Sequence, residues 1–367
     1  MMIDKPEYLY LHVPFCKTIC SYCDFCHVGY QEKLAEAWLD TIQKDIQQRT
    51  LNTQLKTIYI GGGTPTALTS TQLDRLLTML NPYASVVQEY TIEINPEQFD
   101  DNKAQVLKKH GVNRASIGFQ SSNTSLLKMM NRHHTLNDVQ MTMELLRDVA
   151  IDNISLDLMY SLPNQTVDML HESVKDALRL KPTHLSLYSL TIEPNTLFAR
   201  KGYQHLDDDM EADMYEWICD ELSKQGFEQY EISNFAKDEK YSLHNQAYWN
   251  YQDFYGIGCG ASGKENGERY DIPKDVKAYI QDPTIKDITT LMKQDQMFEA
   301  VMMGLRLKKG IQLDVFQAMF GVSLVDVYPK AIHDLIKSQD LILDEAYLKC
   351  SPKGYEILNT ILLSFMD

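Results

Sequence analysis

Along the first half of the chain, short runs rich in β-branched and aromatic residues alternate with longer stretches of a different rhythm. Residues 8–13, 57–60, 90–94, 114–119, 153–159 and 184–190 predict strands. Between them, residues 31–49, 71–80, 136–149 and 167–180 place apolar side chains at three- and four-residue spacing and predict helices. Strand followed by helix, repeated, is the signature of parallel βαβ units. Six such units fall short of an eight-unit barrel, so the expectation is an α/β fold built as a partial (βα)6 barrel of TIM type, with a doubly wound open sheet as the alternative.

After Leu206 the rhythm changes. Asp207, Asp208 and Asp209 open a helical stretch reaching about Lys224, an acid-rich helix start. Residues 227–270 are polar, aromatic and glycine-rich without clear periodicity, which predicts functional loops with two short edge strands. From Asp295 the pattern is helical again, then a hairpin over 341–350 and a last helix, the pattern of a small, mainly helical C-terminal domain. The expected division is 1–205 for the barrel core, 206–285 for an extension and 286–367 for the C-terminal domain.

Composition narrows the class. With 44% apolar and 23% charged residues in 367, the chain is globular. It has no uninterrupted apolar run of about 18 residues, and MMIDKPEYLY lacks the apolar segment of a secretory signal, so the cytoplasm is the expected compartment. The 35 basic against 51 acidic residues leave a net charge of −16, which repels phosphate backbones and argues against nucleic-acid binding.

Four of the seven cysteines crowd together as Cys16, Cys20, Cys23 and Cys26, while Cys219, Cys259 and Cys350 stand alone. An odd number in a reducing compartment is a poor disulfide framework and points to metal or redox chemistry. Cys16, Cys20 and Cys23 form C-x3-C-x2-C just after a predicted strand. Three thiolates on one loop suit three irons of a [4Fe–4S] cluster and leave the fourth iron open to a small molecule. The competing reading is a four-thiol zinc site that includes Cys26, although structural zinc usually draws on two separated pairs.

C-x3-C-x2-C with Tyr22 before its third cysteine resembles the radical S-adenosylmethionine (radical SAM) superfamily. There the open iron chelates the amino and carboxylate groups of S-adenosyl-L-methionine, and an electron cleaves it to methionine and a 5′-deoxyadenosyl radical. The words Tyr10-Leu11-His12-Val13-Pro14-Phe15-Cys16 are similar to the opening of the coproporphyrinogen oxidase-like (HemN-like) branch. Further blocks at 111–114, 161–166, 184–188 and 230–236 extend the resemblance over nearly the whole chain.

Gly61-Gly62-Gly63-Thr64-Pro65 follows the second strand; it matches neither a dinucleotide fingerprint nor a Walker A loop, and a plain tight turn accounts for it equally well. Glu93, Gln120, Arg132 and Asp157 fall at or beyond strand ends on the side where a parallel barrel binds its ligands. An acid and an amide suit ribose hydroxyls, and Arg suits a carboxylate. The resemblance implies that Tyr10, Tyr22, Gly62, Gly63, Thr64, Glu93, Gln120, Arg132 and Asp157 hold SAM, with Leu190 as a further wall position.

Two markers bear on the branch. The oxidases carry a fourth cysteine where this chain has Phe25, and Cys26 is offset by one position. His244-Asn245-Gln246-Ala247-Tyr248-Trp249 fits the H-N-x-x-Y-W word of the heme chaperone (HemW-like) branch, where it is implicated in heme binding. Imidazole is a common heme ligand and aromatic rings pack on porphyrin, although a His beside aromatics is commonly a hydrogen-bonded core residue. Cys259 is a weaker candidate as a heme thiolate. The resemblance thus implies heme, the [4Fe–4S] cluster and SAM as cofactors. As partners it implies apo-hemoprotein recipients such as respiratory enzymes and an electron donor. A peripheral membrane association through those recipients, a homodimer and the consumption of SAM stay open. The rivals are an oxygen-independent coproporphyrinogen III oxidase, another HemN-like radical enzyme such as a methyltransferase or a heme-degrading relative, and a zinc module.

Overall fold

The computed structural model describes residues 5–366. Six parallel strands form its centre: β1 (Tyr8–Val13), β2 (Thr57–Gly62), β3 (Glu89–Ile94), β4 (Arg114–Gln120), β5 (Asn153–Tyr160) and β6 (His184–Ser189). They pair in chain order. The connecting helices include α1 (Glu32–Gln48), α2 (Ser70–Leu80), α3 (Asp101–Lys109), α4 (Leu136–Asp148) and α5 (Val167–Arg179). This is the partial (βα)6 barrel, and the doubly wound alternative does not apply, because the strand order runs without reversal.

The two-residue period of the strands explains its inside and outside. On β3, Tyr90, Ile92 and Ile94 pack outward in the core while Glu93 faces inward. On β4, Ala115, Ile117 and Phe119 join the same core, and Arg114, Ser116, Gly118 and Gln120 line the interior. On β5, Ile154, Leu156 and Leu158 pack outward and Asp157 turns in. Each fully buried aliphatic side chain contributes about 1.5–3 kcal/mol, so the inward polar face is tolerated only because the outer face is uniformly apolar.

The extension is woven into this sheet rather than standing beside it. β7 (Glu228–Gln229) and β8 (Asn234–Ala236) add antiparallel strands beyond β6, and β9 (Tyr255–Ile257) adds a parallel strand beside β1. The nine-stranded sheet runs from β9 to β7 without joining its two ends, so the barrel is open. After β6 comes α6 (Asp208–Lys224), whose first turn carries Asp208, Asp209 and Glu211, and the sequence from 242 forms α7 (Leu243–Trp249). The region expected to be loops with two edge strands therefore holds a helix and five short strands, two of them in a separate three-stranded sheet. At seven residues, α7 is too short for a helical period to declare itself; Ser242 is its N-cap.

The C-terminal part has its own core, built from Val301, Leu305, Phe316, Phe320, Leu324, Ile332, Leu348 and Phe365. Its hairpin pairs Leu341–Leu343 with Tyr347–Cys350 as expected, and the last helix is broken into Pro352–Glu356 and Leu358–Leu363. Among the described residues no helix is long and apolar enough to cross a membrane. The expected absence of a signal segment falls in part on residues 1–4, outside the described ones.

Candidate functional site

A cavity of about 680 Å³ opens at the C-terminal ends of the strands and runs down the barrel axis. Cys16, Cys20 and Cys23 share its wall with Gly62, Gly63, Thr64, Glu93, Gln120, Arg132, Asp157, Tyr22 and Leu190. Residues predicted from separate stretches of sequence are thus gathered around one space.

The cysteine loop leaves β1 at Val13 and is fixed at both ends, since Phe15–Cys16 pairs with Val28–Gly29. Cys16 is buried, and its Sγ lies 3.7 Å from the Thr64 hydroxyl. Burial pushes the Cys16 thiol up to about 12 and the Cys23 thiol up to about 11. Left alone these thiols stay protonated, so thiolates here need a cationic partner such as iron. Cys26 is turned away: its thiol donates to the Lys274 carbonyl at 3.1 Å and is not part of the cavity wall. Three thiols on one cavity wall, with Cys26 turned away, are the donor number of a [4Fe–4S] cluster with one open iron rather than of a closed four-thiol zinc site.

The glycine loop is shaped by its neighbours. Gly62 has φ +111°, and a Cβ there would lie 2.6 Å from the His12 ring. A Cβ on Gly63 would come within 3.0 Å of the Phe15 carbonyl and 3.1 Å of Cys16 Sγ, so only glycine lets this loop lie against the cysteine loop. Asn95 ties the next loop to it, donating through Nδ2 to Thr64 Oγ1 at 3.3 Å and through its backbone to Thr66 Oγ1 at 3.2 Å.

Glu93 accepts from the Tyr59 hydroxyl at 2.8 Å and from the Gly62 N–H at 3.1 Å, and burial raises it to about 7. Asp157 is raised by burial too, and accepts from the Ser116 hydroxyl at 2.9 Å. Gln120 sits at a bulge with φ +58° that aims its amide into the cavity. Arg132 donates to the Tyr22 hydroxyl at 3.2 Å and to the Asn95 side chain, while its Nε is buried without a partner.

Two expected residues lie elsewhere. Tyr10 is not in the cavity wall; its hydroxyl is 2.9 Å from His12 Nδ1, and Tyr59 from the neighbouring strand occupies the wall instead. His244 is 1% exposed, and both ring nitrogens are engaged, Nδ1 2.6 Å from the Thr57 hydroxyl and Nε2 2.8 Å from the Tyr248 hydroxyl. Burial holds its pKa down at about 3, so the ring is neutral, and it stacks on Tyr59. In this arrangement both nitrogens are engaged by hydroxyl groups and neither has a lone pair free for iron. Its neighbours Ser242 and Asn245 do reach the cavity. Cys259 is fully buried and likewise absent from the wall.

Sequence reasoning missed Tyr59, Asn95, Arg114, Ser116 and Ser186, which also line the cavity. Strand parity could have found most of them: Arg114 and Ser116 share the inward face with Gln120, and Ser186 follows the same alternation on β6.

Residues 10–177 match the radical SAM superfamily and residues 291–357 match the HemN C-terminal domain. The chain is 39% identical over 374 residues to the heme chaperone HemW of Lactococcus lactis subsp. lactis, covering 100% of this chain and 98% of that one. Identity to the heme chaperone HemW of Bacillus subtilis is 36%, covering 97% and 98%, and to that of Escherichia coli 32%, covering 98% of each. Among solved structures, the coproporphyrinogen III oxidase HemN of Escherichia coli, a radical SAM enzyme, superposes with a TM-score of 0.84 at 21% identity, covering 98% of this chain and 90% of that one. That likeness concerns the fold alone.

Proposed function

Because the chain belongs to the HemW family of radical SAM proteins, we propose that it is a heme chaperone, binding heme and passing it to apo-hemoproteins such as respiratory enzymes in the cytoplasm. The observation that carries this reading is the extent of the likeness: curated heme chaperones match from end to end, through the extension and the C-terminal domain, and not over the barrel alone.

The family implies a [4Fe–4S] cluster and SAM. In our reading Cys16, Cys20 and Cys23 hold the cluster, which when bound supplies an electron beside SAM, and an external donor replenishes it. Gly62, Gly63 and Thr64 bring backbone and hydroxyl groups against the methionine part of SAM. Glu93 and Asp157 offer carboxylates to amino and hydroxyl groups, Gln120 an amide, and Arg132 with Tyr22 a charged edge for a carboxylate. Phe25, 69% exposed at the cavity mouth, stands where the oxidases have their fourth cysteine, which weighs against porphyrinogen decarboxylation. His244 serves first to seat α7. Heme ligation by its imidazole requires that Thr57 or Tyr248 be released.

The test is an anaerobic heme titration of the cluster-loaded protein followed by visible absorbance. Saturable, stoichiometric binding is expected. Absence of specific binding overturns the reading, and turnover of coproporphyrinogen III would then assign the chain to the oxidases.

A further inference from the structure

With both nitrogens of His244 met by hydroxyls, an imidazole open to a ligand is found elsewhere, on the cysteine loop. His27 follows Cys26 and lines the cavity beside Phe25, Ile19 and Lys274. Its Nδ1 lies 2.7 Å from the Phe25 carbonyl. A carbonyl only accepts, so this nitrogen carries the proton, and in the neutral ring the lone pair stands on Nε2. Among the described residues no group is hydrogen-bonded to Nε2, and that atom is not shut away from solvent. A carbonyl behind Nδ1 and an open Nε2 are how metal-binding histidines are oriented.

The ring is presented by a firm frame. On one side of His27 the Cys26 carbonyl lies 2.8 Å from His12 Nε2, and the Cys26 thiol donates to the Lys274 carbonyl. The loop after β9 presses on the same residue, so that a Cβ on Gly260 would stand 2.2 Å from Cys26 Cβ. On the other side the Val28 N–H donates to the Pro14 carbonyl at 2.7 Å, and the Tyr30 N–H to the Cys16 carbonyl at 2.9 Å. A loop held in this way pays little ordering entropy when it binds. The neighbours suit a porphyrin. Phe25 is 69% exposed and Ile19 44%, two apolar side chains left in water at the cavity mouth. Single exposed apolar residues are ordinary on a surface, but these two line the same cavity as the open imidazole. Lys274, its side chain 64% exposed, has Asp24 Oδ2 at 3.8 Å and donates to the Asp24 carbonyl at 3.1 Å. An ammonium has three donors, which leaves one for a carboxylate at the edge of a ligand.

We propose that His27 is the iron ligand of the heme, binding through Nε2 at the mouth of the cavity, with Phe25 and Ile19 against the porphyrin and Lys274 beside a propionate. This rests on the chaperone reading and supplies the site that reading needs. It divides the cavity: the interior around Gly62, Gly63 and Glu93 is left to SAM, and the mouth is given to heme. His27 Nδ1 also lies 3.7 Å from Cys23 Sγ, so one imidazole stands between a cluster thiol and the heme site. His244 is then a positioning residue, which acts through the seat of α7.

Hemin is added anaerobically to the cluster-loaded full chain and to His27→Ala, His27→Met and His244→Ala, and the ferric heme is followed by visible absorbance and electron paramagnetic resonance. In His27→Ala the axial-ligand signal should be lost and hemin bound about tenfold or more weakly. His27→Met should bind hemin with a different signal, and His244→Ala should keep the signal of the unsubstituted chain. On the unsubstituted chain itself, diethyl pyrocarbonate should modify His27 and hemin should protect it, as mapped by peptide mass spectrometry. That arm needs no substitution, so a variant that fails to fold does not blunt it. The proposal is overturned if His27→Ala keeps the unsubstituted signal, if hemin leaves His27 open to the reagent, or if His27→Ala loses the cluster absorbance before hemin is added, which would make the ring a cluster group. An unsubstituted chain that binds no hemin specifically overturns the chaperone reading, and the ligand with it.

Discussion

Glu89 on β3 accepts the backbone N–H of His244 at 3.0 Å and that of Leu243 at 2.8 Å, so a barrel strand caps the helix that carries the H-N-x-x-Y-W word. Arg114, with Nε 3.9 Å from the same carboxylate, balances the buried charge. Glu89→Ala strips the acceptor from the helix N-terminus and leaves Arg114 without its acid. The expected cost is about 1–3 kcal/mol, read as a lower urea midpoint. Glu89→Gln, which keeps an acceptor, should lose less.

His244→Ala takes the hydrogen-bond partner from the buried Thr57 hydroxyl and the half-buried Tyr248 hydroxyl, again costing about 1–3 kcal/mol. Stability and heme spectrum separate its two roles. If His244 seats α7, the variant unfolds at lower urea while its heme complex keeps the visible bands of the unsubstituted protein. We expect that outcome. A changed axial-ligand spectrum well below the unfolding transition would instead make it an iron ligand.

Cys20→Ala removes one of three thiols from a site that Cys26 does not reach, since its thiol donates to the Lys274 carbonyl away from the cavity wall. The expected result is a colourless protein with an unchanged far-ultraviolet circular dichroism spectrum. Retention of the full cluster absorbance in this variant would show that the ligands are assigned wrongly.

Glu93 gives a pH signature. Its carboxyl, raised by burial from 4.5 to about 7, binds a proton in the native state that the unfolded chain has released. Its contribution is fully present below pH 4.5 and is lost as pH rises through about 7. The shift corresponds to about 3 kcal/mol. His244, lowered by burial from 6.5 to about 3, runs the other way: its contribution is present above 6.5 and is lost as pH falls towards 3. The comparison that isolates Glu93 is therefore Glu93→Gln against the unsubstituted chain. Relative to the latter, the variant should gain stability progressively between pH 4.5 and 7, measured by urea unfolding without SAM.

Lys103 makes an unusual contact beneath the glycine loop. Its buried ammonium donates to the carbonyls of Thr66 at 2.8 Å and Gln98 at 2.5 Å, and burial brings its pKa down to about 8. One side chain thus joins the loop of Gly62–Thr64 to that of Asn95. Lys103→Met should weaken SAM binding about tenfold or more, a loss of about 1.4 kcal/mol, measured by equilibrium dialysis of labelled SAM. Lys103→Arg should recover part of it.

The barrel was legible because each strand is a compact apolar run bounded by turns, and the structure moves their ends by at most two residues, lengthening the second to Thr57–Gly62 and ending the sixth at Ser189. The cysteine loop and the glycine loop were legible because their chemistry is local in sequence. What escaped depends on direction or distance. Tyr59 looks like one more apolar strand residue until parity turns it inward, and Tyr10, one strand away, turns to His12. His244 beside two aromatics carries no sign of whether its nitrogens meet solvent or hydroxyls. Gly260 lies against Cys26 only because β9 lies beside β1, a pairing that no local pattern announces.

That pairing also sets an order on biosynthesis. β1 emerges from the ribosome first, yet its neighbour on the open side, β9, pairs Tyr255 with Leu9 and is made only after β2 to β8. Until then one edge of the strand leading into the cysteine loop offers bare N–H and C=O groups to any passing chain. A nascent barrel halted at residue 205 therefore has Cys16, Cys20 and Cys23 beside an unguarded flank. The flank of that strand is closed only when the extension has been made and β9 has paired with β1.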